Sequence, residues 1–370
     1  MNTPTFTNNR SEFVQAEVRG RVGCLTLNRP KALNALTLEM IRSLTQALIA
    51  WRDDPVVLAV AIRGTGKDGP FGSFCAGGDI RFFHQAALGG DESLESFFTE
   101  EYALNHLIHT YPKPYIAFMD GIVMGGGMGI SQGASLRMVT ERSKLAMPET
   151  GIGLFPDVGG GFFLSRCPGH LGEYLALTGR TINGVEAMAA DLADEQMDSG
   201  RLAGLWESLG TTPYESGEAV ERWCLTYAQK NLERAQLPLA RIDQVFGLES
   251  VSLMLGALEA DGSDWSLETL AVLSKRSPLM LCVVLEQIRK ARGLGLAEDL
   301  RMERDMVYHC FHMRKGAASE TVEGIRALAV DKDHQPRWNP AKLEDVGRET
   351  VAAFFESPWQ ADNHPLRALG

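Results

Sequence analysis

No apolar run in this chain comes near the roughly 20 residues that a membrane-spanning helix needs. The longest, residues 56–62 and 279–285, have the length of a strand or of a buried helical segment. Positive charge is also short: 36 lysines and arginines face 47 aspartates and glutamates, a net charge of −11. No whole-molecule field therefore draws in nucleic acid or an anionic membrane, and an anionic ligand must be held by local groups. The six cysteines, Cys24, Cys75, Cys167, Cys224, Cys282 and Cys310, form no CxxC and no Cys/His constellation. That pattern argues against a disulfide framework or a metal centre and leaves most of them as small core residues. Residues 1–10 are polar and have neither the basic-then-apolar layout of a secretory signal nor the Arg- and Ser-rich layout of an organelle presequence. A cytoplasmic address is the expectation.

What is present is an ordinary globular composition, 45% apolar and 22% charged over 370 residues, enough for two or three packed units at roughly 150 residues each. Residues 13–27 read as a β-hairpin broken at Arg19-Gly20-Arg21. Leu38, Ile41, Leu44, Leu48 and Trp51 then recur with helical spacing, and Asp53-Asp54-Pro55 ends the stripe. Residues 56–62 predict a buried strand, 92–111 a helix, 115–119 a strand, and then a glycine-rich turn leads into a short helix before strands at 136–139 and 144–147. This recurrence predicts an α/β fold. Beyond Gly169 strand-like text fades, while helical periodicity persists over 220–228, 267–273, 279–291 and 297–310. A boundary is expected between 210 and 235, dividing the chain into residues 1–215 and a mainly helical region 216–370.

Two familiar motifs fail their context. Gly64-Thr-Gly-Lys-Asp-Gly69 matches GxGxxG but runs into Pro70 instead of a helix, so it does not read as a dinucleotide site. Gly129-Ile-Ser-Gln-Gly133 matches GxSxG without the preceding strand or an identifiable His partner that a serine hydrolase requires. Two other glycine turns are more informative: Cys75-Ala-Gly-Gly-Asp-Ile80, and the run from Asp120 to Gly129 with its triplet Gly125-Gly126-Gly127. Each can bring bare backbone N–H groups to a ligand, and two such donors aimed at one oxygen make an oxyanion hole. Tight packing alone would also call for such turns. In residues 147–161 two carboxylates, Glu149 and Asp157, sit in apolar, glycine-rich text. Burying acids is costly without work for them to do, although a helix cap for Asp157 and a satisfied turn for Glu149 are the structural alternatives.

Four segments in this order, Asn28-Arg-Pro-Lys-Ala-Leu-Asn-Ala-Leu36, Cys75-Ala-Gly-Gly-Asp79, residues 121–129 and residues 147–161, resemble the crotonase (enoyl-CoA hydratase/isomerase) superfamily. Residues 155–161, the long helical second half and Asp331-Lys-Asp-His-Gln-Pro-Arg-Trp338 are similar to its hydrolase branch, whose substrate is 3-hydroxyisobutyryl-CoA. The resemblance implies a spiral of repeated ββα units in 1–215, carrying the CoA-ester site, with a helical region 216–370 covering it. It implies hydrolysis of a short branched 3-hydroxyacyl-CoA to the free acid and CoA, a step of valine catabolism. The N–H groups of Gly78 and Gly126 would hold the thioester oxygen, and Glu149 and Asp157 would be the catalytic acids. Glu101, by itself only an acidic helix position, would contact substrate. Lys31, Ala32, Leu33, Ala76, Asp79, Ile80 and Arg81 would line the CoA moiety.

No cofactor is implied beyond the CoA of the substrate, no metal, and no partner other than the acyl-CoA thioester; the oligomeric state is left open. Hydratases of the superfamily carry a second glutamate where this chain has Gly129, which disfavours simple hydration. The Glu149–Asp157 spacing is shared with dienoyl-CoA isomerases, so an enoyl-CoA hydratase or a dienoyl-CoA isomerase is the alternative activity. His84 reads as a residue near the CoA entrance, since no carboxylate partner is evident, and Trp338 as a packing anchor instead of an adenine stack.

Overall fold

A computed structural model describes residues 11–230 and 232–370; residues 1–10, on which the expectation of no leader rests, lie outside them. The expected hairpin forms from β1 (Val14–Arg19) and β2 (Val22–Leu27), paired antiparallel from Val14↔Leu27 to Arg19↔Val22. Gly20, at φ 59, supplies the left-handed residue its turn needs. The chain continues through β3 (Ala59–Gly64), β4 (Tyr115–Met119), β5 (Ile122–Met124), β6 (Leu136–Thr140), β7 (Lys144–Ala146), β8 (Ile182–Asn183) and β9 (Glu195–Met197). One sheet has the order β1-β2-β3-β4-β6-β9, parallel from β2 onward, and a second has the order β5-β7-β8. Strand β3 starts three residues later than its apolar text suggests. The Asp54 carboxylate accepts the Val56 N–H at 2.9 Å and its carbonyl the Val57 N–H at 3.2 Å, a turn that keeps 54–57 out of the ladder.

Packing groups the chain into two units. One takes in the chain up to Gly78, Ala103–Leu145 and Ile182–Ala235; the other is Asp79–Tyr102, Ala146–Thr181 and Gln236–Gly370. This interleaved grouping divides the chain differently from a single cut at 215/216, because Asp79–Tyr102 and Ala146–Thr181 group with the C-terminal helices.

In the first unit the period-2 pattern of the strands sorts side chains onto two faces. Val22, Cys24, Ala59, Ala61, Ile116, Phe118, Leu136 and Met138 share one core with Leu202, Leu205, Trp206 and Leu209. The last four recur at helical spacing on Leu202–Thr211. Cys24 is one of the core cysteines, and burial pushes its thiol up to about 12. The helix Leu38–Arg52, capped by Thr37, buries Met40, Ile41, Leu44, Leu48 and Trp51. Trp51 lies over Gly23, where a Cβ would come within 2.5 Å of the ring.

The second unit is mostly helical. Its helices include Ile80–Gly89, the start of Ser93–His109, Leu171–Thr178, Pro278–Ala291, Leu296–His312 and Glu320–Ile325. Phe83 packs edge-on to Phe97 at 4.8 Å and tilted against Phe98 at 4.9 Å, and Phe98 meets Phe311 at 5.7 Å and Tyr102 at 6.2 Å. The aromatic cluster thus ends at Tyr102. Among the described residues no helix is long and apolar enough to cross a membrane.

Candidate active site

In the first unit the two glycine turns adjoin. Cys75 donates its N–H to Ile122 O and accepts from Met124 N–H, both at 2.9 Å. Gly77 follows at φ 105, and a Cβ there would stand 3.3 Å from Met124 O and 3.6 Å from Gly126 N. Only glycine fits that conformation and that clearance. Gly125, at φ 49, caps the helix Gly126–Gln132, so the Gly126 N–H belongs to the first turn, whose donors have no partner within the helix. Among the described residues neither the Gly78 nor the Gly126 N–H is taken by a backbone carbonyl. These are two free donors on adjoining turns; an oxyanion hole requires such donors to converge on one oxygen.

The loop carrying Lys31, Ala32 and Leu33 is tied to the same turn. Pro30–Ala32 is a single 3-10 turn closed by Leu33 at φ 51, and the Leu33 carbonyl accepts the Ala76 N–H at 3.0 Å. Asn34, not singled out by sequence, holds the assembly from within. Fully buried, it donates to Thr65 O at 2.9 Å, Ser73 O at 2.8 Å and Phe74 O at 3.1 Å, and accepts the Arg29 N–H at 2.8 Å. The GxGxxG glycine Gly64 belongs to this packing, since a Cβ would lie 2.2 Å from Ser73 O and Phe74 O. Ser131 of the GxSxG match is buried and donates to Gly127 O at 2.8 Å, which removes it as a nucleophile.

In the second unit Asp79 caps the helix Ile80–Gly89 by accepting the Phe82 N–H at 3.4 Å, with Ile80 half-buried and Arg81 exposed. The structure therefore joins Lys31, Ala32, Leu33 and Ala76 directly and gives Asp79 a capping task. His84 lies half-buried on that helix. Trp338 behaves as an anchor: its indole N–H donates to Lys275 O at 3.1 Å and its ring closes over Gly153.

The acids of this unit form a buried cluster. Glu149 starts the 3-10 turn Glu149–Ile152, which Gly153 ends at φ 66. Exposure is 7% for Glu149, 6% for Asp157 and 2% for Glu101, so Glu101 is not the solvated helix position its sequence context suggests. Among the described residues no lysine or arginine pairs with any of the three. Burial, followed by the Asp157 charge, lifts Glu149 well above the usual carboxylate range. Burial, then Asp157 and Glu149, does the same to Glu101. Asp157 is pushed up to about 6 by burial, opposed by the Tyr102 hydroxyl, which donates to its Oδ2 at 2.8 Å. One oxygen each of Glu101 and Glu149 has no hydrogen-bond partner among the described residues. Such carboxyls hold their protons to higher pH than a solvated acid does and keep an acceptor available for a ligand.

The alternative role of Asp157 as a helix cap is not taken. Val158 and Gly159 follow it at φ 58 and 85; Gly160 donates to the Asp157 backbone carbonyl at 2.7 Å, and the Asp157 side chain takes none of the N–H groups of the next turn. Gly159 and Gly161 donate to the two oxygens of Glu303 at 2.7 and 2.8 Å, and Phe162 donates to Asp299 at 2.9 Å. Gln287 donates to Pro156 O at 2.7 Å and to Glu303 at 3.2 Å. Sequence reading missed Tyr102, Gln287, Asp299 and Glu303. The last two look like solvated charges on the acidic helix Leu296–His312, and their spacing of four, which puts both on one face, was the available signal.

A profile of the enoyl-CoA hydratase/isomerase family matches residues 22–355. The chain is similar to the mitochondrial 3-hydroxyisobutyryl-CoA hydrolase of Xenopus tropicalis, with 40% identity over 349 residues, 93% of this chain and 88% of that protein. The mitochondrial enzyme of the same name from Rattus norvegicus is 40% identical over 350 residues, 93% and 89% of the two chains. Among solved structures, a carnitinyl-CoA dehydratase from Mycobacterium thermoresistibile superposes with a TM-score of 0.85 at 36% identity, covering 97% of this chain and 99% of that one.

Proposed function

The chain belongs to the enoyl-CoA hydratase/isomerase family, and from that premise we propose that it is an acyl-CoA thioester hydrolase, converting 3-hydroxyisobutyryl-CoA, or a similar short branched 3-hydroxyacyl-CoA, to the free acid and CoA in valine catabolism. Lys31, Ala32, Leu33, Ala76, Asp79, Ile80 and Arg81 hold the CoA portion. The N–H groups of Gly78 and Gly126 receive the thioester oxygen as it becomes an oxyanion, each donor contributing about 3 kcal/mol by comparison with measured oxyanion holes. Glu149 either attacks the carbonyl carbon, giving a mixed anhydride that water then opens, or removes a proton from the attacking water. In both routes a C–O bond forms, the C–S bond breaks, and the thiolate leaves with a proton. Asp157, kept near 6 by its surroundings, supplies that proton and orients the 3-hydroxyl, while Glu101 contacts the acyl group.

The observation that carries this reading is the buried acid couple, Glu149 and Asp157, within electrostatic reach of each other and unpaired with any cation among the described residues. Acid, base and oxyanion donor are all present in protein groups, so no separate cofactor is called for; protein dialysed against a chelator is expected to keep full turnover. The name of the superposing dehydratase favours a second reading, elimination of water from the 3-hydroxyacyl group. Against it, the position of the second hydratase glutamate is held by buried Gly129.

Incubation with 3-hydroxyisobutyryl-CoA and a thiol reagent separates these readings. Stoichiometric thiol release is expected; altered acyl absorbance with a constant thiol count would establish dehydration or isomerisation instead. A cytoplasmic address remains the proposal for this chain, whereas the curated relatives are named mitochondrial. Cell fractionation tests it, and recovery with a matrix marker would overturn it.

A further inference from the structure

An aspartate two residues before an open N–H can turn back and accept it, closing an Asx turn. Asp157 stands in that relation to Gly159, yet the Gly159 N–H goes to Glu303 Oε2 at 2.7 Å and the Gly161 N–H to Glu303 Oε1 at 2.8 Å. Both bonds are buried and bridge residues 144 and 142 positions apart, so the helix Leu296–His312 and not the local chain settles where these donors point. We infer that Glu303 is a positioning residue for the hydrolytic reaction: by occupying the Gly159 and Gly161 N–H groups it withholds them from Asp157 and leaves that carboxyl free to serve the substrate.

The surroundings of Glu303 fit this task. Gln287 bridges Pro156 O and Glu303, which fixes the segment on the near side of Asp157, and Asp299 takes the Phe162 N–H on the far side. Gly161 must lack a side chain, since a Cβ would lie 2.5 Å from Asp299 Oδ1. A carboxyl group whose two oxygens both accept backbone N–H bonds favours the turn that offers them. The groups around Asp157 are then Tyr102 and its own backbone N–H, which hydrogen-bond it, and the neighbouring Glu101, Glu149, Glu303 and Cys310, all of which feel its charge.

The inference rests on the hydrolase reading but is measured apart from it. In Glu303→Met, similar in length and without an acceptor oxygen, Asp157 should swing to Gly159. Accepting that bond stabilises the charged form, so the Asp157 titration followed by carboxyl 13C NMR should move down by about one pH unit or more. Turnover of the CoA ester should fall about 100-fold with KM within threefold, the signature of a misplaced catalytic group. Glu303→Gln, which keeps one acceptor, should be intermediate in both.

A folded variant whose Asp157 titration is unmoved would overturn the inference, whatever its turnover. Asp157→Asn gives an arm that does not require altering Glu303. The Gly159 and Gly161 amide proton shifts should stay in place, and their collapse would show that Asp157 holds those donors and overturn the inference. Neither NMR readout uses substrate, so an absence of CoA release by the unaltered protein would refute the hydrolase reading alone.

Discussion

The Tyr102 hydroxyl donates to Asp157 Oδ2 at 2.8 Å, the side-chain hydrogen bond that Asp157 receives from helix Ser93–His109. It stabilises the ionised form and so opposes the burial that pushes Asp157 up to about 6. Phe98, one turn earlier on the same helix and itself packed against Phe83, meets the Tyr102 ring at 6.2 Å and helps to seat it.

Tyr102→Phe should therefore raise the Asp157 titration. A hydrogen bond to a charged group is worth about 1.5–3 kcal/mol, or roughly one to two pH units at 1.4 kcal/mol per unit. The limb of the pH–rate profile belonging to Asp157 should move up, opposite in sign to the shift expected for Glu303→Met. An unmoved or lowered limb would contradict the assignment of that bond.

Glu149→Gln keeps the size of the side chain and removes both its nucleophilic and its basic character. CoA release should drop by about 1,000-fold or more, while the affinity for a non-hydrolysable CoA thioether, measured by calorimetry, stays within a few-fold. Normal turnover would remove Glu149 from the chemistry, whichever route the unaltered enzyme follows.

The buried acids also set how stability depends on pH. Asp157 has a folded value near 6 against an ordinary 3.8, so between those limits the folded protein binds protons that the unfolded chain releases. Its contribution is fully present below about pH 4 and is lost as pH rises to about 6. Glu101 and Glu149 are displaced in the same direction and extend the decline upward. Asp157→Asn cannot ionise, so its melting temperature relative to the unaltered protein should climb across pH 4–6. A difference that stays flat over that range would show Asp157 to titrate normally in the folded state.

Much of this was legible in the chain because the deciding forces are local. The hairpin around Gly20 follows from β-rich text and a turn residue, the strand Tyr115–Met119 from a short continuous apolar run, and Glu149 and Asp157 stand out as acids in glycine-rich, apolar surroundings. Other elements hide for physical reasons. Every residue of the helix Leu171–Thr178 is buried, so it shows no amphipathic stripe. Strand β3 is trimmed by a carboxylate of the preceding turn. Glu303 and Asp299 sit among arginines and further acids on Leu296–His312, and their spacing of four places them on one face without telling a solvated glutamate from one that meets Gly159 144 residues away. Asn34 lies inside the segment Asn28–Leu36, but its partners at Thr65, Ser73 and Phe74 exist only after folding.

The Cys75–Gly78 turn offers a test that leaves every acid in place. Gly77→Ala puts a side chain at φ 105, a strain of about 1–3 kcal/mol, and sets its Cβ 3.3 Å from Met124 O. A folded Gly77→Ala protein should lose about 100-fold in kcat if the Gly78 N–H is an oxyanion donor, the cost of displacing one such group. Unchanged kcat in a folded variant would argue that the turn is only structural.

Gly324→Ala separates helix propensity from close approach. Gly324 lies in Glu320–Ile325, where alanine ordinarily gains up to about 1 kcal/mol over glycine. Here the added Cβ would stand 2.3 Å from the Ile152 carbonyl carbon and 2.4 Å from its oxygen, both backbone atoms of the turn that carries Glu149. Backbone cannot rotate away as a side chain would, so the overpacking cost, about 1–3 kcal/mol or more, outweighs the propensity gain. Thr321 Oγ1, bonded to Gly153 O at 2.7 Å on the same helix, transmits the displacement to the end of that turn. The variant should melt at a lower temperature and, because a shift near 1 Å at a catalytic group can cost about 100-fold, should release CoA far more slowly with little change in KM. A melting temperature at or above that of the unaltered protein, with full turnover, would show that the helix does not hold Glu149 in place.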